Sequence, residues 1–213
     1  MTEQFWWFVT RSSGMVAWAL LMASMVWGVL LATRVLKPHD KPGWLLDLHR
    51  WLGALTVVFV GVHLLALVLD DYVTFGWTDL LLPFASDYAR FAVGLGVIAL
   101  YLLIAVQASS MAMRRIPTRY WRWLHLTSYA LVLLTSWHAV LAGTDVGRAP
   151  YSIVAVVLSC LPILALVVRL ASPPSRGARP PRRRAASGAA GAKGDRPSPK
   201  AQESAEAGAS PGA

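Results

Sequence analysis

The sequence predicts an all-α membrane protein, a bundle of five transmembrane helices with a disordered C-terminal tail. Three observations predict it. The chain has 213 residues of which 56% are apolar, and its mean hydropathy of +0.50 is too high for an ordinary soluble domain of this size. The apolar residues gather into five runs, each near the roughly 20 residues that cross a hydrocarbon core of about 30 Å. The charges stand at the ends of those runs and in the tail, which is how membrane proteins fix their topology. The net charge of +9 therefore does not point to nucleic acid, because the basic residues occupy no amphipathic face.

The first run, Gly14 to Val35, follows Arg11-Ser12-Ser13, which reads as a capping start, and stops before Lys37-Pro38. It is too long for a signal-peptide core and no small-residue cleavage site follows it, so it reads as a retained helix behind an extracytoplasmic segment, residues 1–10. Residues 36–44 form a polar turn, where His39 reads as a solvated loop histidine with no ligand role. The second run, Asp47 to Leu69, carries His49 and His63 and ends at Asp70-Asp71. In the connection over residues 70–88, Thr78 to Phe84 suits a short interfacial helical turn beside Trp77.

The third run, Tyr88 to Ser110, contains Gly94 and Gly96 but no histidine, and ends at Arg114-Arg115. Its small residues allow close approach of a neighbouring helix or a flat ligand. The fourth, Tyr120 to Leu141, carries His125 and His138, and a turn over residues 142–150 leads to the fifth, Tyr151 to Leu170. The single cysteine, Cys160, excludes intramolecular disulfides and cysteine-rich metal sites. In its apolar setting it reads as an inert buried thiol. Residues 171–213 are Pro, Ala, Gly, Ser and Arg with almost no large apolar side chain, so they cannot build a core and read as disordered. Arg182-Arg183-Arg184 in that tail is either a solvated charge run that enforces orientation or a contact with anionic headgroups.

Loop charges give the orientation. Arg34, Lys37, Lys41 and Arg50 border the first connection and Arg114, Arg115, Arg119 and Arg122 the third, against only Arg90 and Arg148 at the second and fourth. The positive-inside rule then puts the first and third connections and the tail in the cytoplasm and the N-terminus outside. The second and fourth spans run in the same direction.

Each of those two spans carries two histidines, and ionisable residues inside a span are costly. His49 and His63 are 14 residues apart, about 21 Å and nearly four whole turns, so they share a face. His125 and His138 are 13 apart, which on an ideal helix separates them by about 140° around the axis. Either the two rings approach their ligands from different sides or the helix departs from ideality. Parallel spans bring His49 level with His125 near the cytoplasmic side and His63 level with His138 nearer the outside. Two bis-imidazole sites for heme iron are the natural outcome. Zinc or copper is disfavoured, since two histidines per level are too few ligands and no Cys, Asp or Glu completes them. The competing readings are packing or interfacial histidines, and a metal or proton transporter using them as relay sites.

The spacings H-x13-H and H-x12-H, the segment Trp121-Arg122-Trp123-Leu124-His125-Leu126-Thr127-Ser128-Tyr129 and the stretch Thr10-Arg11-Ser12-Ser13-Gly14 resemble the ferric reductase-like transmembrane domain. That family includes ferric reductases, NADPH oxidases and the heme-binding membrane subunit of the periplasmic methionine sulfoxide reductase system. The resemblance covers residues 11–170 as a heme domain. It implies two b-type hemes, with His49 and His125 on the inner iron and His63 and His138 on the outer. It also implies electron passage from a cytoplasmic flavoprotein or quinol donor to an extracytoplasmic acceptor such as ferric iron, or to a separate periplasmic reductase. No Gly-rich dinucleotide fingerprint follows the last span, so the chain is not expected to oxidise a nicotinamide cofactor itself, and a flavin or quinone would be supplied by or shared with a partner. Some relatives have six spans where five are read here.

Supporting residues follow from position. Arg50, Arg119 and Arg122 lie beside the inner histidines, where a guanidinium either pairs with heme propionates or only sets topology. Arg11 stands where relatives carry an arginine near the outer heme. Gly53, one turn after His49, would leave room for a macrocycle, and Phe59, Tyr129 and Trp137 are candidates to pack on the rings, although such aromatics are more often ordinary packing.

Overall fold

The computed structural model describes residues 2–34, 41–70, 75–143 and 148–171. His39, the Arg182 to Arg184 cluster, the tail beyond residue 171 and the centre of the turn after residue 143 lie outside the described residues.

The described residues form seven helices and no strand: α1 (Thr2–Thr33), α2 (Pro42–Leu69), α3 (Trp77–Leu81), α4 (Arg90–Met111), α5 (Thr118–Leu126), α6 (Ser128–Ala142) and α7 (Ala149–Ala171). Five segments are long and apolar enough to cross a membrane, α5 and α6 together making one of them. Their outward faces carry large apolar side chains such as Val58, Leu65, Ile104, Ile153, Val156 and Leu164, all exposed. A surface of that kind is stable only against lipid. The chain is a multi-pass membrane protein.

Helix ends differ from those expected. α1 begins at Thr2, not at Gly14, so Arg11, Ser12 and Ser13 lie inside it and cap nothing. The Ser12 and Ser13 hydroxyls donate back to the Phe8 and Val9 carbonyls at 2.8 and 2.6 Å, which satisfies them within the helix. α2 begins at Pro42, five residues before Asp47, because proline in the first turn gives up only an N–H that no helical carbonyl needs. The interfacial turn forms as α3, with the Asp79 carboxylate accepting from the Gly76 N–H at 2.8 Å.

The fourth span is broken. α5 gives way to α6 at Thr127, where the Thr127 N–H donates to the Leu124 carbonyl three residues back at 3.1 Å and its hydroxyl donates to the same carbonyl at 2.6 Å. This is a 3₁₀ turn, which advances about 120° per residue instead of 100° and so reduces the offset between His125 and His138.

α1 is the central helix: α2 packs along it, and α6 and α7 lie against it as well, while α4 packs on α6. Trp18, Met22 and Met25 of α1 bury against Val132 of α6 and Ala155 of α7. Trp18 Nε1–H donates to Ser136 Oγ at 3.2 Å inside that cluster. A second apolar cluster joins Ala99 and Leu103 of α4 to Leu131 of α6. α2 packs extensively only on α1, so the two histidine-bearing segments leave space between them.

Candidate functional site

The near-integral number of turns between His49 and His63 places both rings on the side of α2 that faces α5 and α6. His49 meets His125 with ring centroids 6.0 Å apart and planes at 74°. His63 meets His138 at 6.5 Å and 82°. Both pairings read from the sequence are therefore present. A metal bound at about 2 Å by two opposed imidazole nitrogens would put the ring centroids about 6 Å apart, and both pairs match that separation. Among the described residues no group of three or more His, Cys, Asp or Glu is assembled that could hold a metal ion, and each histidine pair offers two imidazole donors.

Three of the four rings are held through Nδ1. His63 Nδ1 lies 2.8 Å from the Thr10 carbonyl, His138 Nδ1 2.7 Å from the Ala92 carbonyl and His49 Nδ1 3.0 Å from the Ser24 carbonyl. A carbonyl only accepts, so in each case Nδ1 carries the proton and Nε2 keeps its lone pair. The Ser24 hydroxyl also lies 3.2 Å from His49 Nδ1. His125 Nδ1 is buried without a hydrogen-bond partner. Its ring instead stacks on Trp121 at 5.1 Å and 23°.

A cavity of about 1060 Å³ opens between α1, α2, α4 and α6, lined by His63, His138, Arg11, Thr56, Gly96 and Thr135 among others. Its size is just above the roughly 300–1,000 Å³ of ligand and cofactor sites. It does not extend to His49 or His125. The Thr10 hydroxyl, on the helix that walls it, is buried without a hydrogen-bond partner. The cavity, the free Nε2 atoms and the ring separations fit a planar apolar macrocycle carrying a metal at the His63 and His138 level. At the His49 and His125 level the ring separation alone supports the fit.

The arginines divide. Arg11 lines the cavity, its guanidinium carbon 4.5 Å over the Trp7 ring. Arg50 turns to the exposed side of α2, 3.5 Å from Asp47. Arg119 and Arg122 are exposed on α5. Gly53 faces Gln107, where a Cβ would meet the amide oxygen at 3.3 Å, so the space there belongs to α4. Tyr129 packs on the Trp18 cluster, Trp137 is exposed, and Phe59 is half-buried. Cys160 is exposed, not buried, on the apolar surface of α7.

Sequence reasoning missed the roles of Trp121, Gly14 and Gly28, and singled out Gly96 only as one of the small residues that allow close approach. Trp121 lies four residues before His125, on the same helix face, a signal that was available. Gly14, Gly28 and Gly96 each lie against a histidine ring of another helix, which no single-helix pattern reveals.

Comparison with known proteins bears on this arrangement. Residues 13–136 match the family described as ferric reductase like transmembrane component. The match contains His49, His63 and His125 and stops two residues short of His138. The chain is 29% identical over 157 residues to the magnetosome protein MamZ of Magnetospirillum gryphiswaldense, covering 72% of this chain and 22% of that protein. It is 28% identical over 134 residues to the protein-methionine-sulfoxide reductase heme-binding subunit MsrQ of Ralstonia nicotianae, covering 62% of this chain and 57% of that protein. The chain thus spans about a fifth of the one relative and just over half of the other. No solved structure matches.

Proposed function

This chain belongs to the ferric reductase-like transmembrane family, and from that premise we propose that it is a di-heme b-type conduit carrying electrons across a cell membrane. The observation that carries the reading is the pair of facing imidazole couples at 6.0 and 6.5 Å. His49 and His125 would ligate the inner heme and His63 and His138 the outer, with the N-terminus outside and the tail in the cytoplasm. Heme, when bound, supplies reversible one-electron chemistry, while the protein sets its position and electronic surroundings.

This chain's own residues have four tasks. The histidines present neutral Nε2 atoms, and the carbonyls of Thr10, Ser24 and Ala92 fix three of the tautomers. The apolar walls exclude water. Arg11, which lines the cavity, supplies positive charge for a propionate or an anionic acceptor. Arg119 and Arg122 do the same at the inner side, whereas Arg50 is already engaged by Asp47. The donor is a cytoplasmic flavoprotein or a quinol, and the acceptor ferric iron.

A second reading has a specific observation behind it: the similarity to a heme-binding subunit named for a methionine sulfoxide reductase. In that case the acceptor is a separate periplasmic reductase, and the purified chain alone reduces no ferric chelate.

Substitution of the ligands tests both readings. His63→Ala or His138→Ala should each remove one of two hemes and leave the other, and His49→Ala or His125→Ala should remove the complementary one. Retention of both hemes in all four variants would sink the ligand assignment.

A further inference from the structure

We propose that Gly14, Gly28 and Gly96 are positioning residues for the heme ligands, each opening a notch in its helix through which a histidine reaches the carbonyl four residues earlier. The proposal rests on the di-heme reading above. In an α-helix the carbonyl of residue i already accepts from the N–H of residue i+4, and only its second lone pair is available to a neighbour. The side chain of residue i+4 stands over that bond and shields it.

The three anchored histidines share one register. His63 reaches the Thr10 carbonyl past Gly14, His49 the Ser24 carbonyl past Gly28, and His138 the Ala92 carbonyl past Gly96. Acceptor and glycine are four residues apart in every case. A Cβ at Gly96 would fall 2.7 Å from both Nδ1 and Cε1 of His138, one at Gly14 would fall 3.1 Å from His63 Nδ1, and one at Gly28 would fall 3.2 Å from His49 Cε1. At Gly43 and Gly61, by contrast, a Cβ would meet nothing within 4 Å. His125 is the exception that sharpens the pattern: no described glycine lies against it, and its Nδ1 has no hydrogen-bond partner.

Glycine is a poorer helix former than alanine, and here three of them serve the same geometry. Donation from Nδ1–H to a carbonyl fixes the tautomer and ring orientation and makes Nε2 a stronger donor to the metal. The outer site then has two anchored ligands and the inner site one.

The test uses the full chain loaded with heme, read by low-temperature electron paramagnetic resonance of the ferric protein and by the midpoint potential of each heme, with His63→Ala and His125→Ala identifying which signal is which. Gly14→Ala should move the low-spin g values and raise the midpoint of the outer heme alone. Gly28→Ala should do so for the inner heme alone, and both should keep two hemes per chain. Gly96→Ala, with the closest overlap, should lose the low-spin signal of the outer heme. Gly61→Ala should match the parent protein. A role in helix packing alone would lower the yield of both hemes together without moving one potential. Parent-like g values and midpoints in Gly14→Ala and Gly28→Ala, or shifts in the wrong heme, would overturn the proposal, and these two variants decide it if Gly96→Ala fails to accumulate. A parent protein that binds no heme would instead overturn the di-heme reading.

Discussion

His125 is held by a stacked indole where the other three histidines are held by a carbonyl. An aromatic pair contributes about 0.5–1.5 kcal/mol beyond its buried area, so Trp121→Ala should weaken retention of the inner heme by up to about tenfold and leave the outer one unchanged. Heme loss to an apo-globin acceptor, followed as two kinetic phases, measures this. Trp18 belongs both to the packed cluster of α1, α6 and α7 and to the cavity wall. Trp18→Phe removes the hydrogen bond to Ser136 while keeping an aromatic ring in place, and should lower unfolding stability by about 1 kcal/mol, measured by thermal denaturation in detergent. At this scale the four histidines were legible because charge-capable residues in apolar runs stand out. The carbonyls of Thr10, Ser24 and Ala92 were not, since a backbone acceptor has no sequence signature. Arg50 could be placed beside His49 by number but not by direction, and its pairing with Asp47 is a surface event.

The break between α5 and α6 matters more than any single side chain for the second histidine pair. No proline or glycine marks Thr127, so the 3₁₀ turn was not legible as a kink. Its trace in the sequence was the offset of about 140°, which an unbroken helix could not reconcile with two rings facing α2. Inserting one alanine within α6, between Val132 and Leu133, would rotate His138 by about 100°. The outer heme should be lost and the inner retained, as counted by pyridine hemochrome. Span number and order were legible from hydropathy alone. The early starts of α1 and α2 were not, because Arg11, Ser12 and Ser13 read as a boundary although the two hydroxyls are satisfied within α1, and Pro42-Gly43 reads as a turn although it opens α2.

Across the described bundle, α1 acts as the post on which α2, α6 and α7 are mounted, and α2 meets the other histidine-bearing segment through the facing histidine rings and Val60, not through extensive backbone packing, which leaves a gap beside them. That gap is a property of the bundle that no local pattern encodes. The apolar girdle requires lipid, and the orientation proposed from the asymmetry of the basic loops is open to direct test. A reporter fused before residue 4 should be active outside the cell, and a cysteine placed at residue 116 should react only with permeant reagents. The opposite labelling pattern would reverse the assignment of inner and outer sites.

The sharpest check on di-heme binding is the heme-to-protein ratio of the purified full chain, with heme assayed as pyridine hemochrome and protein by amino-acid analysis. Two b-type hemes per chain are expected, both low-spin in the oxidised spectrum. A ratio of one or zero after expression with ample porphyrin, or a five-coordinate high-spin spectrum, would contradict it.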